Sequence, residues 1–152
     1  MIKRAEREDA AALAALAVQM WTSHAPDELQ EEFRETIGCA DAACFLKYAD
    51  GRPVGFAQCQ LRHDYVEGTD SSPVGYLEGV FVEEAYRRRD YAAELVSACE
   101  RWTKEQGCTE FASDCELINT DSLRFHLAIG FTEANRIICF TKRLTEGERN
   151  EL

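Results

Sequence analysis

Positive charge is in short supply in this chain. Seventeen Lys and Arg residues stand against 28 Asp and Glu, which leaves a net charge of −11. That sign is the reverse of what a duplex-binding protein carries, so nucleic acid is not expected as a partner. An acidic surface steers cationic partners toward it, or serves only to keep the chain soluble. The seven cysteines are odd in number and no two have C-x-x-C spacing. Neither a disulfide framework nor a zinc site is supported, and buried free thiols in a reducing cytoplasm fit best. His24, His63 and His126 show no ligand spacing, so no metal is expected. No apolar run is long enough to span a bilayer, and Met1 to Arg7 lacks the apolar core of a signal peptide. No linker or internal repeat interrupts the chain.

What is present suits one globular domain: 152 residues, 45% of them hydrophobic. Ile2 to Arg4 reads as a short strand. Asp9 to Met20 is alanine-rich, with Leu13, Leu16, Ala17 and Met20 on one helical face and Asp9 as the N-cap. A second helix starts near Asp27, with Leu29, Phe33 and Ile37 spaced by four, and stops at Gly38. Ala43–Tyr48 and Pro53–Leu61 flank Asp50-Gly51, a strong hairpin signal. His63 to Pro73 is a polar loop and Val74 to Val82 an apolar strand. Helices follow at Tyr91–Gln106 and Asn119–Ile129, with a short strand at Glu110–Ser113 between them. Phe131–Glu133 and Ile137–Arg143 read as two last strands, and Thr145 to Leu152 as a charged, frayed tail. The order, βααβββ then αβαββ, implies an α/β fold: one mixed sheet with helices on both faces.

The chemistry concentrates around Val74 to Leu95. Arg87, Arg88 and Arg89 stand between an apolar strand and a helix whose first turn is Asp90-Tyr91-Ala92-Ala93. Unsatisfied N–H groups at a helix start, with arginines beside them, suit a phosphate. A lone arginine run is otherwise a solvated face, and the strand–helix context shifts the balance toward an anion site. Glu78 is the one carboxylate in the strand, sharing its alternation with Tyr76, Val80 and Val82. A buried, unpaired carboxylate is costly. Glu78 therefore either lines a cleft, where it can act as a base, or meets a salt bridge or solvent. Asp114 closes a strand where ligands of open α/β sheets often sit, and equally suits a turn or cap. Trp21 and Tyr65 lie in loops, available for stacking or for ordinary packing.

At these residues the chain resembles the GNAT superfamily of acyl-CoA N-acyltransferases. The family's Arg/Gln-x-x-Gly-x-Gly/Ala signature has its counterpart in Arg87-Arg88-Arg89-Asp90-Tyr91-Ala92, and a later segment in Asn119-x-x-Ser122 and His126 to Phe131. Trp21 with His24, Arg62 to Val66, Asp70 to Pro73, Leu77-Glu78-Gly79 and Ala112 to Asp114 are similar to the dimeric bacterial aminoglycoside 6'-N-acetyltransferases. The resemblance implies a single acetyltransferase domain over 1–144, with acetyl-CoA as donor and a homodimer. It places Trp21, Tyr65, Glu78, Asp114 and Asn135 at the aminoglycoside. Val80, Phe81 and Val82 fall along the pantetheine arm. Arg87, Arg88, Arg89, Asp90, Tyr91, Ala92 and Ala93 fall at the pyrophosphate, with Asn119 also at the cofactor. It implies Glu78 as the catalytic base. Three positions depart from the pattern. Asp90 replaces a loop glycine, His126 stands where a tyrosine acid is common, and Asn135 stands where a pocket acid can occur. Acetylation of another polyamine or a protein amine, and a non-catalytic acyl-CoA-binding module, are the alternatives.

Overall fold

The chain reverses at Asp50-Gly51, where φ is 53° and 78°, the left-handed pair that a two-residue hairpin turn requires. In the computed structural model, which describes residues 1–145, β1 (Ile2–Arg4) and a 3-10 turn (Arg7–Asp9) lead into α1 (Ala10–Ala17) and α2 (Pro26–Ile37). The hairpin joins β2 (Ala42–Ala49) to β3 (Arg52–Arg62). Then come β4 (Val74–Val82), a 3-10 turn (Glu84–Tyr86), α3 (Tyr91–Glu105), β5 (Phe111–Ala112) and α4 (Thr120–Ala128). The five strands lie in sequence order in one sheet, antiparallel except for the β4–β5 pair.

The sheet divides two cores. On one face Leu13, Leu16 and Ala17 of α1 and Leu29 and Phe33 of α2 pack against Leu46 and Phe56. On the other, Leu95, Val96, Cys99 and Trp102 of α3 pack against Ala57, Cys59, Leu77 and Val82. Each helix presents one apolar stripe, so each can cover only one face. Lys47, 7% exposed, crosses from β2 to Glu94 with Nζ 2.6 Å from the carboxylate and 4.3 Å from the Tyr91 ring centroid. This pair ties the first turn of α3, and the arginine loop before it, to the sheet. The thiols are free, but only Cys44, Cys59, Cys99 and Cys108 are buried as expected, Cys39, Cys115 and Cys139 lying exposed; burial pushes Cys44 up to about 12, which makes it inert.

Three expectations need correction. Asp9 does not cap α1. Its carboxylate accepts the Glu6 N–H at 2.8 Å and meets Lys3, closing the preceding 3-10 turn instead. The alternation through β4 also breaks. Gln58 pairs with Gly79 while Cys59 pairs with Leu77, so Glu78 is an extra, bulged residue. A bulge flips the faces that follow it. Leu77, Val80 and Val82 therefore face α3, whereas a methyl built on Gly79 would sit 2.9 Å from the Trp21 ring on the other side. Val80 and Val82 are not on the Glu78 face. Finally, no strand forms at 131–133 or 137–143. β5 is only two residues long, and the apolar side chains Ile137, Ile138 and Phe140 lie 66–87% exposed. A strand needs an edge to pair with, and this segment finds none. Residues 146–152 of the tail lie outside the described residues.

Candidate active site

Glu78 points along the same face of β4 as Tyr76, and the bulge turns Val80 and Val82 away from it. Arg62, at the end of β3, meets it: the guanidinium makes hydrogen bonds of 3.0–3.2 Å to both Glu78 oxygens. The same guanidinium lies 3.5 Å from the Tyr76 ring centroid. The Tyr76 hydroxyl in turn donates to Asp114, which follows β5. Burial first, and then the Asp114 carboxylate, push the Tyr76 phenol well above its usual range, so it stays a donor. The result is one chain of contacts, Glu78–Arg62–Tyr76–Asp114, with two carboxylates at opposite ends. Glu78 keeps a fifth of its side-chain surface open. It is therefore not the unpaired carboxylate that its strand position suggests, and any incoming cation must share it with Arg62.

Trp21 closes the same face. Its ring stacks on Phe33 at 6.5 Å and meets Phe56 edge-on at 5.9 Å. It leans on Gly79, where a side chain would collide with it. The absence of Cβ at Gly79 thus sets the gap between the aromatic ring and the Glu78 backbone. Tyr65 is 76% exposed in the 63–73 loop, and its hydroxyl accepts the Gly68 N–H at 3.4 Å. It stands at the rim with no bond to Glu78. Asn135 reaches the same loop, donating to Glu67 at 2.9 Å.

On its other side β4 is open. The parallel ladder with β5 ends at Tyr76 and Ala112, so the backbone from Glu78 to Val82 has no strand partner on that edge among the described residues. The edge leads to the arginine loop. There Arg88 and Asp90 both have φ of 65°, and Asp90 makes no capping bond to α3. The first-turn N–H groups of Tyr91, Ala92 and Ala93 are left without a side-chain acceptor among the described residues. The three arginines do not act alike. Arg87 Nε donates to the Val82 carbonyl at 2.7 Å, and Arg89 lies over the Tyr86 ring at 5.2 Å. Arg88, on the left-handed residue, enters no ion pair among the described residues. A bare strand edge running into free helix N–H groups fits the extended arm and diphosphate of a coenzyme A thioester.

Asn119 caps α4, accepting the Ser122 N–H at 3.1 Å. His126 Nδ1 lies 2.7 Å from the Ser122 carbonyl. A carbonyl only accepts, so Nδ1 is protonated and donates to it. Nε2 lies 2.9 Å from Ser113 Oγ. In this arrangement the histidine anchors α4 to the segment after β5.

Residues 10–131 match the Acetyltransferase (GNAT) family. The chain belongs to this family. It is 39% identical over 145 residues to an aminoglycoside N(6')-acetyltransferase type 1 of Serratia marcescens, covering 95% of this chain and 99% of that one. It is 43% identical to the enzyme of the same name from Salmonella typhimurium, covering 84% and 88%. Among solved structures, AAC(6')-Iy in complex with the bisubstrate analog CoA-S-monomethyl-acetylneamine superposes with a TM-score of 0.90 at 39% identity, covering 94% and 97%. The sheet with helices on both faces is thus a GNAT acetyltransferase fold, and acetyl-CoA is the family's donor.

Arg62, Tyr76 and Ser113 carry the site's hydrogen bonds, and sequence reasoning assigned none of them a role. Arg62 and Glu78 are sixteen residues apart, and only the β3–β4 pairing, with Arg62 opposite Val74, brings them together. No local spacing signals that.

Proposed function

We propose that this chain is an acetyl-CoA-dependent aminoglycoside 6'-N-acetyltransferase that confers resistance by direct transfer to a 6'-amine. The observation that carries the reading is the bulge in β4. On one side it gathers Glu78, Asp114 and Trp21 on a face suited to an amino sugar. On the outer edge, the two-residue β5 leaves Glu78 to Val82 without a described partner as the strand leads to the α3 N-terminus.

Arg88 and the N–H groups of Tyr91 to Ala93 would hold the donor's diphosphate. Val80 to Val82 would line its arm. Acetyl-CoA supplies an activated acyl group. An alkylammonium, with a pKa near about 10.4, cannot attack while protonated. Glu78, held beside Arg62, is the base for that proton, directly or through water. A free N–H near Val80, on the unpaired edge, is placed to stabilise developing negative charge on the carbonyl oxygen. Glu78 and Asp114 hold the polycation by charge, while Trp21 and Tyr65 offer ring faces to it. No covalent enzyme intermediate is needed, so the cysteines have no role in the transfer.

We place the enzyme in the cytoplasm as a homodimer, acting on a small molecule rather than on nucleic acid or at a membrane. No helix among the described residues is long and apolar enough to cross a bilayer. The exposed side chains Ile137, Ile138 and Phe140 offer a second copy an apolar face.

Thiol release from acetyl-CoA tests the function. Kanamycin should accelerate it strongly, a neutral sugar not at all, and the product should carry acetyl at the 6'-nitrogen by NMR. Faster turnover of a peptide amine than of any aminoglycoside would overturn the assignment.

A further inference from the structure

The loop at 63–73 is held in place from both ends. Thr69 bonds back to the Val66 carbonyl at 2.7 Å through its hydroxyl. Asp70 N–H and Ser71 Oγ both donate to Glu110, at 2.9 and 2.5 Å. In the middle, Gly68 lies so close to Ala134 that an added methyl would sit 2.5 Å from the alanine Cβ. Glu67 is thereby set against the 133–136 segment. Both lie beside the site, because Val66, the neighbour of Glu67, packs in one cluster with Tyr76 and Ala112.

The carboxylates at this mouth are engaged differently. Glu133 takes the Arg136 guanidinium at 2.8 and 3.0 Å. Glu78 takes Arg62 and Asp114 takes the Tyr76 hydroxyl. Glu67 receives only the neutral amide of Asn135, at 2.9 Å on one oxygen. The amide is oriented for this: its oxygen accepts the Arg136 N–H at 2.8 Å, which leaves the NH₂ to face Glu67. So Glu67 is fixed in direction and meets no cation among the described residues.

We infer that Glu67 is a third carboxylate for the polycationic acceptor, aimed by Asn135, and that it selects substrates with several amines over those with one. The inference rests on the aminoglycoside reading above. Asn135 is then a positioning residue rather than a substrate ligand. Glu67 takes the contact that the sequence pattern assigns to position 135.

The test compares the parent with Glu67→Gln and Asn135→Ala, using kanamycin and the single-amine sugar 6-amino-6-deoxyglucose. Glu67→Gln should raise the KM for kanamycin about two- to fivefold, the range of an exposed ion pair. Its kcat, its KM for acetyl-CoA and its Tm should stay parental. The KM for the single-amine sugar should not move, and the salt dependence of kanamycin KM should flatten. Asn135→Ala should give a smaller rise in the same direction. A parental kanamycin KM in Glu67→Gln, or an equal rise for the single-amine sugar, would refute the inference. Calorimetric binding of kanamycin separates this from failure of the function. A parent that binds kanamycin without turnover, with binding weakened in Glu67→Gln, sinks the acetyltransferase reading and keeps Glu67. A parent that binds no aminoglycoside overturns both.

Discussion

Asp90→Gly should improve cofactor use while leaving the fold almost unchanged. Asp90 sits at the N-cap of α3 with φ 65° and ψ 15°, and its side chain makes no capping bond. A left-handed residue with a Cβ carries strain of roughly 1 kcal/mol, toward the low end for Asp. Glycine relieves that. It also adds unfolded-state freedom worth about 0.4–1 kcal/mol and removes a negative charge at a helix start worth about 0.3–1 kcal/mol. These contributions nearly cancel, so Tm should change by no more than about 2–4 °C. The cofactor side does not cancel. A carboxylate beside a diphosphate costs about 1 kcal/mol per close charge pair in water, so its removal should lower the acetyl-CoA KM about fivefold. The gain should shrink at high salt. Asp90→Asn separates charge from strain, because Asn tolerates the same backbone. Both variants should gain by steady-state kinetics and by calorimetry with acetyl-CoA. If neither lowers the KM, Asp90 does not face the diphosphate and the loop is misassigned. If only the glycine variant gains, backbone strain rather than charge is responsible.

Glu78→Gln should keep the fold and lose about 10²–10⁴ in kcat together with the acid limb of the pH–rate profile; a raised KM with parental kcat would make Glu78 a binding residue only. Arg88→Ala should weaken thermal protection by acetyl-CoA without lowering the apo Tm, and equal protection in variant and parent would remove Arg88 from the site. Asp9→Asn should cost about 1–3 kcal/mol at neutral pH. Burial disfavours the Asp9 charge, but the Glu6 N–H and Lys3 outweigh it and hold the folded pKa below 3.8. The stability it adds is therefore complete above the unfolded value and drains away as pH falls through the lower folded one. Denaturant midpoints of parent and variant should converge in strong acid, and a constant gap would refute the charge argument. Ile138→Asp with Phe140→Asp should shift sedimentation from dimer to monomer; an unchanged dimer would place the interface elsewhere.

Local chemistry determined much of this protein. The four-residue spacing of Leu29, Phe33 and Ile37 suffices for α2, and the structure gives Pro26–Ile37. Asp50-Gly51 suffices for the β2–β3 hairpin because few other pairs accept two positive φ angles. The arginine run before a helix reads as an anion site for a reason of chain geometry, and the motif residues point to the family that residues 10–131 match. These signals act within a few residues, where bond angles and side-chain shape decide the outcome. The site's internal contacts are different. Strict alternation puts Glu78 beside Val80 and Val82, and one extra residue in β4 separates them onto opposite faces. Arg62 reaches Glu78, Tyr76 reaches Asp114 and Asn135 reaches Glu67 across 16, 38 and 68 residues. The apolar periodicity of 137–143 reads as a strand, yet periodicity supplies no partner edge, and the segment stays unpaired. Strand register, bulges and loop docking are set by the packing of the whole sheet between its two helical layers. Tertiary structure alone therefore decides which charges meet.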